Sequence, residues 1–137
     1  MTLEEVKNMR IEVPLLPGEE LSPNARVHWS ERQQAAAVFF NAVYYSCVDS
    51  INRSGQVRRP YAKARLNLTF VFSQERKRDR DNLISMFIPG LNALVKVELL
   101  EDDDSRHLEI GEVKVEVDKE RAPLTIIELA ETERLEK

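Results

Sequence analysis

Cysteine, histidine and glycine are all scarce in this chain of 137 residues. The single cysteine, Cys47, excludes an internal disulfide and any zinc site built from several cysteines. The two histidines, His28 and His107, do not form a His-x-x-x-His pair, so a histidine-based metal site is not expected. The chain also has no Gly-rich loop that cradles phosphates and no nucleophile elbow around a serine. These absences argue against a zinc site built from cysteine or histidine, against a Gly-rich loop that binds nucleotide phosphates, and against a serine hydrolase.

Long apolar runs are missing as well. No stretch approaches the roughly 20 apolar residues that a membrane-spanning helix requires. The N-terminal segment, residues 1–7, is charged and lacks the apolar centre of a secretion signal, which predicts a cytoplasmic protein. We expect no association with a membrane and no disulfide partner. With 42% apolar and 32% charged residues, the composition is typical of a soluble globular protein. The length predicts a single domain over residues 1–137.

Charge is unevenly distributed along the chain, although the formal total is only −4. Residues 53–80 hold nine basic and two acidic residues, whereas residues 97–137 hold six basic and fourteen acidic residues. The basic segment is typical of a surface that binds a polyanion, because Lys and Arg displace counterions from phosphates. An ordinary solvated surface is the alternative interpretation. The acidic total therefore does not exclude a nucleic acid as the partner.

Hydrophobic periodicity predicts an α+β fold with the element order β-α-β-α-β-β. We expect two helices on one face of a mixed or mostly antiparallel sheet, and a closing hairpin formed by the last two strands. Ser30 is the predicted N-cap of the first helix, and Pro89-Gly90 is predicted to break the second. The structured core is expected over residues 10–129, with residues 1–9 and 131–137 frayed. The predicted strands are 10–16, 64–73, 112–118 and 124–129, and the predicted helices are 31–51 and 81–94.

Two acidic clusters are the candidates for metal binding. Asp79 and Asp81 stand two residues apart at the end of the longest predicted strand, where their side chains point to the same side. The second cluster, Glu101–Asp104, follows the second predicted helix. Because the helices and strands return on one another, we expect both clusters at the same end of the sheet. Hard cations such as Mg²⁺ prefer carboxylate, water and phosphate oxygens, and paired ions can promote phosphodiester hydrolysis.

Basic residues are interleaved with the first acidic cluster. They would hold a DNA backbone that the carboxylates alone would repel. A structural role for the acids is the alternative, with Asp79 or Asp81 capping the following helix and Glu101–Asp104 forming a solvated turn. The interleaved basic residues are Arg76, Lys77, Arg78 and Arg80.

The motifs in this region resemble those of the RusA family of Holliday-junction resolvases. The resemblance lies in Lys77-Arg78-Asp79-Arg80-Asp81-Asn82-Leu83, followed by Leu100-Glu101-Asp102-Asp103-Asp104-Ser105. The upstream segment Ser22-Pro23-Asn24-Ala25-Arg26 is similar to a loop that follows the family's first strand. The resemblance implies a RusA-like homodimer that binds branched or four-way-junction DNA. It also implies a Mg²⁺-dependent endonuclease of DNA recombination and repair, in which Mn²⁺ can substitute.

The resemblance also implies roles for single residues. Asp79 and Asp81 match two metal-binding catalytic aspartates, and Asp104 is the first choice for the third, with Asp103 as the second choice of metal ligand. The family has a lysine where this chain has Ser85. A catalytically weakened homologue, which binds branched DNA without efficient cleavage, is therefore the alternative function. The expected DNA contacts are Asn24, Arg26, Arg76, Lys77, Arg78 and Arg80.

Overall fold

The computed structural model describes residues 8–55 and 60–133, which fold into four β-strands and the helices that connect them. The elements, in chain order, are β1 (Asn8–Val13), a short 3₁₀ helix (Glu19–Leu21), α1 (Trp29–Ser54), β2 (Lys63–Phe72), α2 (Arg80–Met86), α3 (Ile88–Lys96), β3 (Leu108–Val117) and β4 (Leu124–Glu133). None of the helices in these two ranges is both long and apolar enough to cross a membrane.

The four strands form one mixed sheet in the order β1-β4-β2-β3. β4 pairs antiparallel with β1 and β2, whereas β2 and β3 are parallel. The predicted α+β class and mixed sheet are therefore confirmed. The predicted hairpin of the last two strands is wrong, because β2 separates β3 from β4. Parallel neighbours need a crossover connection, and α2 with α3 provide it between β2 and β3.

The main core lies between the helices and one face of the sheet. Phe39, Val43 and Cys47 of α1 are buried there together with strand residues such as Leu68 and Ile127. Burial raises the pKa of the Cys47 thiol to about 12, so the free cysteine stays protonated in the folded chain. A smaller cluster covers part of the opposite face of the sheet and contains Val71, Leu124 and Ile126.

The boundaries of several elements differ from the prediction, and β3 begins at Leu108, four residues before its predicted start. α1 begins at Trp29, and its N-cap is His28, whose Nδ1 accepts a hydrogen bond from the Ser30 N–H at 3.1 Å. The predicted Ser30 cap is therefore wrong, because the helix starts two residues earlier than predicted and Ser30 lies inside its first turn. β1 begins at Asn8 and β4 extends to Glu133, so residues 8–9 and 131–133 are paired rather than frayed. The remaining residues of the predicted frayed ends, 1–7 and 134–137, lie outside the described ranges.

The second predicted helix divides into α2 and α3 at Phe87, not at Pro89-Gly90. Pro89 lies in the first turn of α3, where a residue without an N–H does not lose a helical hydrogen bond. The Phe87 ring is buried and packs edge-on against Phe39 and Phe70, with centroids 5.7 and 6.4 Å away. The break therefore inserts an aromatic side chain into the core, and it explains why three α-helices stand where two were expected.

Gly90→Ala is expected to destabilise the fold. A Cβ at position 90 would lie 2.7 Å from the Phe87 ring, which is fixed in the core. Overpacking of this kind costs about 1–3 kcal/mol, whereas alanine in an unhindered helix position gains about 1 kcal/mol over glycine. Urea denaturation should show a lower free energy of unfolding for Gly90→Ala. Asn92→Ala, at an exposed position of the same helix, is the control and should not be destabilising. A stabilised Gly90→Ala variant would contradict the packing described for Phe87.

Candidate functional site

A groove of about 830 Å³ lies at the end of the sheet where β2 finishes and β4 begins. Phe72 and Pro123 line it from the strand ends, and the loop after β1 lines it from one side. The loop between β2 and α2 closes another side. Arg26, Arg80 and Asp81 are exposed residues that do not line the groove. The groove brings together five of the predicted site residues, namely Asn24, Arg76, Lys77, Arg78 and Asp79.

The basic side of the groove is held in place by contacts to the strand end. The Arg78 guanidinium lies 3.6 Å from the centroid of the Phe72 ring, and its Nη1 donates to the Arg76 carbonyl oxygen at 2.9 Å. Partial burial lowers the pKa of Arg78, and the neighbouring Arg76 charge adds to this, while Glu19 opposes it. Arg76 is itself paired with Glu19, with Nη2 and Oε2 2.7 Å apart. Arginine remains protonated in proteins despite such shifts, so both guanidinium groups are cations.

The loop that carries Asn24 is fixed from α1. Arg32 donates from Nη1 to the Ser22 carbonyl oxygen at 3.0 Å and from Nη2 to the Ala25 carbonyl oxygen at 3.1 Å. The Ser22 hydroxyl oxygen also accepts from the Asn24 N–H at 3.2 Å. Sequence reasoning missed Arg32. Its position could have indicated a role. A cation in the first turn of a helix interacts unfavourably with the helix dipole, so an arginine there suggests a compensating contact.

Asp79 is the N-cap of α2. Its Oδ1 accepts a hydrogen bond from the Asp81 N–H at 2.9 Å. The capping role that the sequence left as an alternative is therefore confirmed for Asp79. Asp81 lies in the first turn of α2 with an exposed side chain. Asp79 lines the basic groove, and the capping bond uses one of its two carboxylate oxygens.

The second acidic cluster forms a hydrogen-bonded turn before β3. Asp104 Oδ1 lies 2.7 Å from His107 Nδ1, and Asp104 Oδ2 accepts from Arg106 Nη2 at 3.0 Å. The hydrogen bond with His107 and the contacts with Arg106 lower the pKa of the Asp104 carboxyl group to about 2. Asp102 Oδ1 accepts from the Asp103 N–H at 2.7 Å, and Asp103 is exposed. Sequence reasoning missed the roles of Arg106 and His107. Their positions, two and three residues after Asp104, suit such a turn.

The two acidic clusters lie at opposite ends of β2. The Ala64 N–H donates to the His107 carbonyl oxygen at 3.0 Å, which places the turn containing Asp104 beside the start of β2. Asp79 instead follows Phe72, the last residue of the same strand. The strand between Ala64 and Phe72 is about 26 Å long. The expectation that both clusters share one end of the sheet is wrong, because α2 and α3 carry the chain back along β2 before β3 begins parallel to it.

One copy of the chain does not fit the three-carboxylate metal site that the family resemblance implies. Within residues 8–55 and 60–133, no group of three or more His, Cys, Asp or Glu side chains is placed to hold a metal ion. Asp79 and Asp81 can supply two carboxylates at the groove. Asp103 and Asp104 can supply two more, but only at the other end of β2.

Comparison of the sequence with protein-family models and with curated proteins gives no match. The resemblance to RusA-type resolvases therefore depends on the motifs themselves.

Asp104→Asn is expected to remove a pH-dependent part of the stability. The pKa of this carboxyl group is about 2 in the folded chain and about 3.9 in an unfolded one. Because the folded value is the lower one, the ionised group stabilises the fold above about pH 4, and this contribution is lost as the pH falls towards 2.

Urea denaturation at a series of pH values from about 6 down to 3 measures this effect. The wild type should be more stable than Asp104→Asn at the upper end, and the difference should narrow as the pH falls. A difference that stays constant over the whole range would contradict the role of the Asp104 hydrogen bonds.

Proposed function

We propose that this chain is a Mg²⁺-dependent endonuclease of the RusA type that cuts four-way DNA junctions, in DNA recombination and repair. One observation carries the proposal. Segments about fifty residues apart in the sequence, one with Asn24 and one with Arg76–Asp79, line the same groove. Both segments belong to the motifs that resemble the family. If the resemblance of two short motifs were due to chance, there would be no reason for both to line one groove.

The groove has the chemistry of a site for a phosphodiester backbone. Lys77 and Arg78 provide positive charge, and the Asn24 amide provides a hydrogen-bond donor. Arg76 is paired with Glu19 in the structure, so a phosphate would compete with that carboxylate for the guanidinium group. The pair has exposed side chains, and exchange of one anion for another costs little there. A DNA strand in the groove would lie against Asp79, which lines it, and Asp81 follows two residues later in the first turn of α2.

A DNA-binding homologue with weakened cleavage is the second candidate function. Ser85 occupies the family's lysine position and carries no charge, and the two acidic clusters of one chain are separated by the length of β2. Lys77 lines the groove and is a candidate to replace the charge of that lysine. In this second function the groove and its basic residues bind DNA, but the chain does not hydrolyse it efficiently. In either case the proposal includes a cytoplasmic location.

Junction cleavage should separate the two candidates. Purified protein incubated with a labelled four-way junction and Mg²⁺ or Mn²⁺ should give paired nicks, and Asp81→Asn should lower the rate by several orders of magnitude, because metal-dependent hydrolysis depends on every ligand. Asp49→Asn, on the exposed face of α1, is the matched control and should leave the rate unchanged. Binding of the junction without products in either metal would support the weakened homologue. Cleavage at full rate by Asp81→Asn would overturn the endonuclease proposal.

Removal of one groove cation should change the salt dependence of DNA binding. Each phosphate contact contributes about 0.9 to the slope of the logarithm of affinity against the logarithm of salt concentration. Lys77→Ala should therefore weaken junction binding and reduce the slope by about 0.9. Lys114→Ala on β3 is the control, since Lys114 lies outside the groove and should not change the slope. An unchanged slope for Lys77→Ala would show that the groove does not bind the backbone.

A further inference from the structure

The groove that carries Lys77 and Arg78 also has an apolar wall. Two of the wall residues belong to α2 and are buried, and the other three are half-buried. A phosphate group is charged and hydrated, so contact with apolar side chains does not stabilise it. The wall therefore suits a part of the ligand other than its phosphates. The residues of the apolar wall are Leu16, Val27, Phe72, Leu83 and Met86.

The size of the groove suits a single nucleotide. Its volume of about 830 Å³ lies within the range of roughly 300–1,000 Å³ that is typical of sites for small organic ligands. Such sites combine apolar walls with a few polar groups that fix the orientation of the ligand. The side-chain amides of Gln74 and Asn82 line the groove and offer both donors and acceptors, which suits the edge of a base. A base in an intact duplex is stacked between its neighbours, so only a base that has left the stack can enter the groove.

Arg78 presents a planar surface to the groove. One face of its guanidinium group covers the Phe72 ring, with Cζ 3.6 Å from the ring centroid. The hydrogen bond from Nη1 to the Arg76 carbonyl oxygen fixes the group in this orientation. Unpaired bases stack on guanidinium planes as well as on aromatic rings. The face of Arg78 turned away from Phe72 is therefore a surface on which a base can stack.

Charge favours a nucleotide over an uncharged ligand. Two of the three carboxylates that line the groove have other contacts, since Glu19 is in an ion pair and Asp79 accepts the capping hydrogen bond of α2. The third is that of Glu20. Within residues 8–55 and 60–133, neither Lys77 nor Arg78 forms an ion pair with an acid. Two such cations beside an apolar wall match a ligand with an anionic part and a flat apolar part, which is the chemistry of a nucleotide.

We propose that the groove holds one unpaired nucleotide of a DNA strand, with the base against the apolar wall and stacked on Arg78, and the phosphate at Lys77. This inference rests on the proposed endonuclease function and names the part of the substrate that the groove recognises. Removal of a base from an intact duplex costs free energy for unpairing and unstacking, and the cost is least for a base that is already unpaired. The groove thus favours branched and single-stranded DNA over continuous duplex through the base as well as through the backbone.

Oligonucleotides of equal charge separate a base site from a backbone site. A short thymidine oligonucleotide and an abasic strand with the same sugar-phosphate backbone, each with a fluorescent label, are titrated with the protein in EDTA. Fluorescence anisotropy gives the two affinities. A base in the groove should make the thymidine strand bind about tenfold more tightly, the effect expected of one stacked base. Equal affinities for the two strands would overturn the inference.

Two substitutions locate the base within the groove. Arg78→Lys keeps the charge but removes the planar group, so the preference for the thymidine strand should be lost while the affinity for the abasic strand is kept. Val27→Ser removes an apolar part of the wall and should also reduce the preference. The matched controls are Arg10→Lys on β1 and Val38→Ser on α1, which lie outside the groove and should keep the full preference. Circular dichroism reports whether each variant is folded, and a full preference in both folded groove variants would overturn the proposed site.

Junction nicking distinguishes failure of this inference from failure of the proposed function. Nicking by the wild type together with equal affinities for the two strands would overturn the base site and leave the endonuclease proposal standing. A preference for the thymidine strand without nicking in Mg²⁺ or Mn²⁺ would support the base site in a DNA-binding homologue with weakened cleavage. Absence of binding to the junction and to both strands would overturn the base site and the proposed function together.

Discussion

Parallel pairing of β2 with β3 is the constraint on which the rest of this structure depends. Because the two strands run in the same direction, the chain must leave β2 at one end and enter β3 at the other. The crossover through α2 and α3 covers that distance and buries Phe87 in the core on the way. Residues before the helices and residues after them are consequently held apart. The two acidic motifs, which are only about twenty residues apart in the sequence, therefore lie at opposite ends of β2.

Each half of the motif is stabilised locally by hydrogen bonds of its own. Asp79 caps α2, and Asp104 binds Arg106 and His107 in the turn before β3. Carboxylates used in this way have a structural reason to be where they are, whatever chemistry they also perform. One oxygen of a capping aspartate can still contact a cation, since the hydrogen bond occupies only one of its two oxygens. Structural and chemical roles are therefore compatible at Asp79. The two acidic clusters of one chain do not combine because they are far apart, not because their oxygens are all used in hydrogen bonds.

Local pattern was sufficient for much of the fold. The alternation of Leu66, Leu68 and Phe70 predicts β2, and the acid–base motif correctly falls where a strand gives way to a helix. Strand pairing was not predictable in the same way, because a strand with alternating valines fits a hairpin and a parallel edge equally well. The break at Phe87 also depends on a tertiary contact with Phe39. The sequence predicted the groove residues only as a list of DNA contacts, Asn24 among them. The contribution of Arg32 depends on a loop geometry that periodicity does not encode.

Electrostatics explains why the acidic total of the chain is compatible with a polyanionic partner. Four cations lie between the end of β2 and the first residue of α2, namely Arg76, Lys77, Arg78 and Arg80, whereas most of the acidic residues lie after α3, towards the start of β3 and beyond. A phosphate backbone in the groove would contact Lys77 and Arg78 and would lie close to Asp79, which also lines it. Carboxylates that close to a phosphate raise its free energy unless a cation lies between them. Divalent ions would supply that cation, and the carboxylate oxygens of Asp79 are ligands that Mg²⁺ accepts.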